Sequence, residues 1–171
     1  HVGIDVNQGG YEHNTCRPEV RDWLRRLAES ALCLGIFSAD ECNPFTAAKF
    51  QQPGPKPMFD KDFPDGIPDE KGIVPMETQR VLDSLKYTLA LGELVMDHGG
   101  FFAVEHPVNQ GEDSIFSAKG RERHTTMAET GPFKQFKADW NLESVYFDGC
   151  MVGADSRAPT AIECSRDIAA E

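Results

Sequence analysis

The sequence predicts an α/β fold in which a mostly parallel sheet is flanked by helices. Five short apolar segments have the length and composition of strands, at residues 2–6, 32–38, 101–106, 144–147 and 161–164. Amphipathic segments at 18–31 and 76–97 lie between the first three. A strand–helix–strand order is typical of parallel sheets, because the crossover helix returns the chain to the edge from which the first strand began. We therefore expect a Rossmann-like sheet, of which part is missing.

The two helices are indicated by apolar residues that recur at helical spacing. In the segment 76–97, Leu82, Leu85 and Leu89 repeat every three or four residues, and Gly99 follows its end. In the segment 18–31, Pro18 suits the first turn of a helix. The stretch 109–143 is polar and irregular, with a short helix expected near 121–128.

Residues 39–75 form a long loop in this prediction. The segment holds seven of the eleven prolines, at positions 44, 53, 55, 57, 64, 68 and 75. Such a run excludes a regular helix or a central strand. Phe45, Phe50, Met58, Phe59 and Phe63 are expected to anchor this loop.

Length and composition limit the classes of protein that fit. The 171 residues predict one domain, spanning 1–171. The net charge of −11 disfavours a protein that coats a polyanion, and no apolar run is long enough to span a membrane. The five cysteines are an odd number without close pairs, which favours an intracellular, reducing compartment. No cluster with the spacing of metal ligands is found, so no metal site is predicted.

Polar groups fall at or near the ends of the predicted strands, where ligands bind in open α/β sheets. Asp5 ends the first strand, Cys42 follows the second in Cys-Asn-Pro-Phe-Thr, and Glu105 ends the third in Glu-His-Pro. Arg157 lies in the loop before the last strand, in a Gly-x-x-x-Arg-Ala-Pro-Thr segment. These four residues are the candidate site.

The order of these motifs resembles that of cytosine carbon-5 DNA methyltransferases, in particular divergent members found in mobile elements and protist genomes. The resemblance extends over about residues 1–165. It implies that Cys42 is the nucleophile, Glu105 the acid and Arg157 a group that orients the base or a phosphate. It also implies that Asp5 binds the ribose of S-adenosylmethionine, the cofactor, and that DNA is the partner.

The chemistry explains why a thiol and a carboxylic acid belong together in such a site. Carbon-5 of cytosine is not nucleophilic until a thiolate adds to carbon-6 and an acid protonates ring nitrogen-3. Carbon-5 can then take a methyl group from the cofactor, provided that the base is flipped out of the duplex.

Two alternatives remain open. The glycine-rich cofactor motif of the family is absent ahead of Asp5, and the charge of −11 disfavours DNA, so we expect the domain to be incomplete or degenerate. The first alternative is a non-catalytic relic that serves as a structural or interaction subunit of a larger assembly. The second is a Cys–His hydrolase that pairs Cys42 with His98 or His106.

Overall fold

The computed structural model describes most of the chain. The described residues are 9–30, 32–39, 43–50, 55–111, 115, 119–148 and 159–165. Three α-helices occur among them, α1 (Pro18–Glu29), α2 (Met76–Asp97) and α3 (Gly131–Trp140). The strands are β1 (Gly35–Ser38), β2 (Phe101–Pro107), β3 (Glu143–Asp148) and β4 (Pro159–Cys164).

The four described strands form one mixed sheet in the order β1-β2-β4-β3. β1 and β2 are parallel, whereas β4 is antiparallel to both of its neighbours, β2 and β3. Helix α2 lies between β1 and β2 in the chain and therefore provides the crossover that a parallel pair requires. The fold is thus α/β with a mixed sheet.

The two faces of the sheet differ in what covers them. Residues that pair directly across two strands share a face, so Val104 and His106 of β2 lie on the same side as Glu163 and Ala161 of β4. We call this side the helix-covered face, because its Phe102 and Val104 share the main core with residues of α2 and α3. The opposite side, the far face, carries Glu105.

Helix α2 is long enough to contribute side chains to two hydrophobic clusters. Its buried side chains Leu82, Leu85 and Leu89 pack with Phe102 and Val104 in the main core. Further along the same helix, Leu91 and Val95 pack with Ala28 of α1 in a second cluster.

Some predictions are confirmed and others are not. The helix predicted at 76–97 has those bounds, and strands lie at each of the four predicted positions that the structure describes. Helix α3 was missed, because the helix expected near 121–128 is a short 3-10 turn at Met127–Glu129 and the helix begins only at Gly131. The strand expected at residues 2–6 lies outside the described residues.

The mostly parallel sheet is not confirmed, because two of the three described pairings are antiparallel. The physical reason is the short connection between the last two strands. Ten residues, 149–158, join β3 to β4. A parallel crossover needs about a dozen residues or more and generally a helix, so the shorter connection favours antiparallel pairing.

The proline-rich segment contributes to the core of this chain. Phe45 and Phe59 are both buried in the main core, and their rings stack with centroids 4.4 Å apart. Met58 is partly buried against the same core, whereas Phe63 is exposed. The expectation that aromatic side chains anchor this segment is therefore confirmed for Phe45 and Phe59.

Candidate functional site

Three of the four residues predicted for the site, Asp5, Cys42 and Arg157, lie outside the described residues. The fourth, Glu105, lies near the carboxyl end of β2 and is partly exposed. It pairs with Ile162 of β4 across the sheet and belongs to the far face. The structure therefore gives a position to the proposed acid and to the segments that flank Cys42.

The carboxyl ends of β1 and β2 meet at one edge of the sheet. The two strands are parallel, and Ser38, the last residue of β1, is level with Val104. Glu105 is the next residue along β2, so the chain leaves β1 beside the position of this carboxylate. Edges of this kind are where open α/β sheets bind ligands.

A buried histidine ties together the segments that follow these two strands. His124 is fully buried, and its Nε2 lies 2.9 Å from the carbonyl oxygen of Phe45, three positions after Cys42. The backbone N–H of Gln110, three positions after the end of β2, donates to Nδ1 of the same ring at 2.9 Å. Both ring nitrogens of His124 are therefore satisfied.

The two bonds fix the protonation state of this ring. A carbonyl oxygen only accepts, so Nε2 carries the hydrogen, and Nδ1 must be bare to accept from Gln110. Burial lowers the pKa of His124, and the charge of Arg121 lowers it further, against the bond to Phe45, which raises it. The neutral ring is thus the form that the fold requires.

A second set of contacts holds the proline-rich segment against Arg123, the residue before His124. The guanidinium of Arg123 donates to the buried carboxylate of Asp60 and lies 3.1 Å from Asp62. The other oxygen of Asp60 accepts the backbone N–H groups of Asp62 and Phe63, at 3.0 Å each. The backbone N–H of Lys61 donates to the carbonyl of Arg123.

The helix-covered face carries a buried polar group that the sequence did not predict. Glu163 of β4 is almost fully buried, and Nζ of Lys137 on α3 donates to its Oε2 at 2.6 Å. The hydroxyl of Ser144 lies 2.9 Å from both carboxylate oxygens. Nε2 of His106 lies 3.5 Å from Oε1, which is longer than an ordinary N–H···O hydrogen bond.

These contacts determine the charge state of Glu163. Burial on its own raises the pKa of the carboxyl, but the contacts from His106, Lys137 and Ser144 outweigh burial and hold that pKa below its ordinary value. Glu163 is therefore an ionised carboxylate that is paired with the ammonium group of Lys137.

A cleft of about 220 Å³ opens beside this group, between α3 and the sheet at the carboxyl end of β2. Its walls are formed by His106, Val108, Asn109, Thr126, Ala128, Glu129, Lys134, Lys137, Tyr146 and Glu163. Because Glu105 faces the other side of the sheet, it does not line this cleft.

One feature of the sequence signals this cleft in retrospect. Glu163 stands within the otherwise uncharged run 158–164, where a carboxylate in a buried strand requires a partner. Its partner Lys137 lies on α3, the helix that was not predicted. His124 carries no comparable signal, because it lies in a polar, irregular stretch.

No protein-family model matches the chain, and no curated protein or solved structure is significantly similar to it. Among the residues that the structure describes, no group of three or more His, Cys, Asp or Glu side chains could hold a metal ion. In the same part of the chain, no helix is both long and apolar enough to cross a membrane.

Proposed function

We propose that the chain is a methyltransferase-like domain that acts on cytosine, with Cys42 as the nucleophile and Glu105 as the acid. The observation that carries the proposal is the parallel pairing of β1 and β2. This pairing places Ser38, at the end of the strand that precedes Cys42, level with Val104, the residue before Glu105. The finer fold assignment, a Rossmann-like methyltransferase sheet, is part of the same proposal.

The hydrogen bonds of His124 support this assignment for the chain that follows Cys42. Phe45 is held by His124, which is held in turn by Gln110. The chain is thus fixed near the carboxyl end of β2 both four residues before Cys42, at Ser38, and three residues after it.

The proposed reaction places a defined task on each residue. The thiolate of Cys42 adds to carbon-6, Glu105 protonates ring nitrogen-3, and Arg157 orients the base or a phosphate. S-adenosylmethionine supplies the methyl group when bound. Asp5, the residue that the resemblance assigns to the cofactor, lies outside the described residues.

The half-reaction carried by Cys42 and Glu105 can be measured without the cofactor. Once the thiolate has added to carbon-6, carbon-5 takes a deuteron from D₂O. Loss of the original hydrogen and of the thiolate then releases 5-deuterocytosine. We expect this exchange in a single-stranded cytosine-containing oligonucleotide, which needs no flipping from a duplex. Loss of the carbon-5 proton resonance measures it.

Matched variants assign the roles. Cys42→Ser should abolish the exchange, whereas Cys16→Ser, which removes an exposed thiol, should leave it unchanged. Glu105→Gln should slow it by about 100-fold, a typical effect of general acid catalysis. A wild-type chain that exchanges no carbon-5 hydrogen contradicts the proposal. A heat of binding for S-adenosylmethionine, measured separately, tests the cofactor assignment.

The interaction-subunit alternative is favoured by one observation, the exposed aromatic side chains of the far face. Phe37 and Phe101, on neighbouring strands, are 61% and 39% exposed. The proline-rich segment does not add to such a surface at Phe45 and Phe59, which are in the core of this chain. Failure of the exchange together with a stable complex through the far face would favour this alternative.

The hydrolase alternative receives less support from the positions of its histidines. His98 precedes β2 and lies at the opposite edge of the sheet from the end of β1. Its Nδ1 lies 2.7 Å from the carbonyl oxygen of Leu94. His106 is buried on the helix-covered face, with Nδ1 2.9 Å from the carbonyl oxygen of Pro107.

A further inference from the structure

The loop that follows β2, residues 108–111, packs closely against the turn 121–124. The backbone N–H of Gln110 donates to Nδ1 of His124 at 2.9 Å. A Cβ atom at Gly111 would lie 2.5 Å from the carbonyl oxygen of His124, so this approach of the two backbones requires glycine. The closed position of the loop therefore depends on His124 and on the fit of its last two residues.

The other side of the His124 ring holds residues 43–50. Nε2 lies 2.9 Å from the carbonyl oxygen of Phe45, and the ring of Phe50 meets the imidazole edge to face, with centroids 5.6 Å apart. The neutral ring is thus a donor to one segment and an acceptor from the other, Gln110.

A proton on Nδ1 affects these two sides in opposite ways. The imidazolium carries a hydrogen on both nitrogens. Its bond to the carbonyl of Phe45 becomes charge-assisted and therefore stronger. On the other side, Nδ1–H would face the N–H of Gln110, and two donors cannot bond to each other. Protonation therefore breaks the bond to Gln110 and keeps the bond to Phe45.

The charged groups around the ring favour the same outcome. Burial lowers the pKa of His124, and the positive charge of Arg121 lowers it further. Arg121 also donates to the side-chain oxygen of Gln110. Glu122, the one carboxylate of the segments 43–50, 108–111 and 121–124, is exposed and accepts the N–H of Gly120 at 2.9 Å. The other charged residues of these segments are Lys49 and Arg123.

The loop also has a fixed point from which it can move. The backbone N–H of Val108, which is buried, donates to the carbonyl of Pro159 at 3.2 Å, and this bond does not involve the histidine. The next residue, Asn109, lines the cleft beside α3. Movement of the loop therefore begins after Val108 and changes the wall of the cleft at Asn109.

We propose that His124 is a pH-sensitive switch whose protonation releases residues 109–111 from the turn 121–124, while Phe45 stays bound to the ring. Release moves Asn109 away from the cleft beside α3. The switch does not rest on the proposed methyltransferase reaction, because none of these residues has a role in it.

The test is a titration of the ¹⁵N-labelled full chain from pH 7.5 to 4.5, with the ring nitrogens of His124 and the backbone amides followed together. The protection of Gln110 N–H against hydrogen exchange should fall about tenfold, the equivalent of one hydrogen bond. Its midpoint should coincide with that of the His124 ring and lie below about pH 6.5. The amides of Val108 and Lys49 should keep their protection.

Two variants at Arg121 form a matched pair that leaves His124 in place. Arg121→Gln removes the positive charge and should move both midpoints to higher pH, whereas Arg121→Lys retains the charge and should leave them close to those of the wild type. Equal midpoints in the two variants would contradict the inference.

A third variant removes the switch itself. In His124→Phe, the amide of Gln110 should lack protection already at pH 7.5 and show no transition. The inference is overturned if Gln110 keeps its protection on a protonated ring, or if Val108 or Lys49 loses protection at the same pH. It is also overturned if the His124 ring stays neutral until the whole chain unfolds.

Discussion

Two buried histidines lie near the same edge of the sheet, and their surroundings differ. His124 has a partner on both ring nitrogens, the carbonyl of Phe45 and the N–H of Gln110. His106 has a hydrogen bond on Nδ1, and its inaccessible Nε2 has only a 3.5 Å contact with Oε1 of Glu163. Both side chains are nearly inaccessible, with exposures of 0% and 3%, so burial does not distinguish them.

The number of hydrogen-bonded ring nitrogens determines how much each side chain contributes to the stability of the fold. A ring with both nitrogens satisfied joins two segments, and its loss leaves a buried donor and a buried acceptor without partners. Less stability is lost when an apolar ring replaces a histidine that has only one hydrogen-bonded nitrogen.

The largest expected effect is at Glu163, the buried carboxylate that borders the cleft between α3 and the sheet. Glu163→Gln leaves Lys137 without its buried counter-charge and should lower the free energy of unfolding by about 3 kcal/mol, measured by urea denaturation. Glu129 is paired with Lys134 and is more exposed than Glu163. Glu129→Gln should therefore cost less than about 1 kcal/mol. Equal losses in the two variants would show that burial of Glu163 has no energetic consequence.

The next largest loss of stability is expected for His124→Phe. The substitution removes both hydrogen bonds of the ring and leaves Gln110 N–H and the Phe45 carbonyl unpaired, at a cost of about 2–4 kcal/mol in the same denaturation experiment. His98→Phe is the matched control on an exposed histidine and should change the stability by less than about 0.5 kcal/mol. A loss below 1 kcal/mol at His124 would argue that its hydrogen bonds to Phe45 and Gln110 do not stabilise the fold.

The pH dependence of stability should carry the signature of His124. Because the folded state holds the pKa of this ring below its ordinary value, the unfolded chain takes up the proton first. The contribution of His124 to stability is therefore fully present above about pH 6.5, and it is lost as the pH drops below that value. The loss on going from pH 7.5 to 5.5 should shrink in His124→Phe, and an unchanged loss would assign it to other groups.

The attachment of α3, which forms one wall of the cleft, provides a smaller effect. The carboxylate of Asp65 accepts the first backbone N–H of this helix, at Gly131, at 2.7 Å. Asp65→Ala should cost about 1 kcal/mol, as loss of a helix cap does. Asp65→Asn retains an acceptor oxygen and should recover most of that stability in thermal unfolding. Equal destabilisation by both variants would contradict a capping role.

The smallest expected effect is at His106. His106→Phe replaces a ring that has one unpaired nitrogen and should change the free energy of unfolding by less than about 1 kcal/mol. The same substitution is thus expected to be costly at His124 and nearly neutral at His106. Equal costs at the two positions would show that the second hydrogen bond of His124 adds nothing to stability.

The sequence allowed part of this organisation to be predicted, for identifiable physical reasons. Helix α2 was predictable because Leu82, Leu85 and Leu89 repeat with the helical period, and all three are buried. Helix α3 was not, because it has ten residues and only two buried apolar side chains, Phe133 and Phe136. Its N-terminus is held by Asp65, 66 positions away, which local pattern cannot show.

The candidate site was predictable only to the level of strand ends. Glu105 was placed at a strand end from the order of polar and apolar residues, and the structure agrees. The cleft depends on contacts between residues far apart in sequence, such as Lys137 with Glu163. The mostly parallel sheet was not confirmed, because the pattern of apolar residues gives the existence of a strand but not its direction.

The most direct test of the account is the protonation of the two histidine rings, read from the ¹⁵N resonances of the ring nitrogens in the ligand-free chain near pH 7.5. In each ring, the nitrogen that faces a carbonyl oxygen should carry a hydrogen. His124 should carry its hydrogen on Nε2, next to the Phe45 carbonyl, and His106 on Nδ1, next to the Pro107 carbonyl. A His124 ring protonated on Nδ1 would contradict this assignment, since Nδ1 could not then accept the N–H of Gln110.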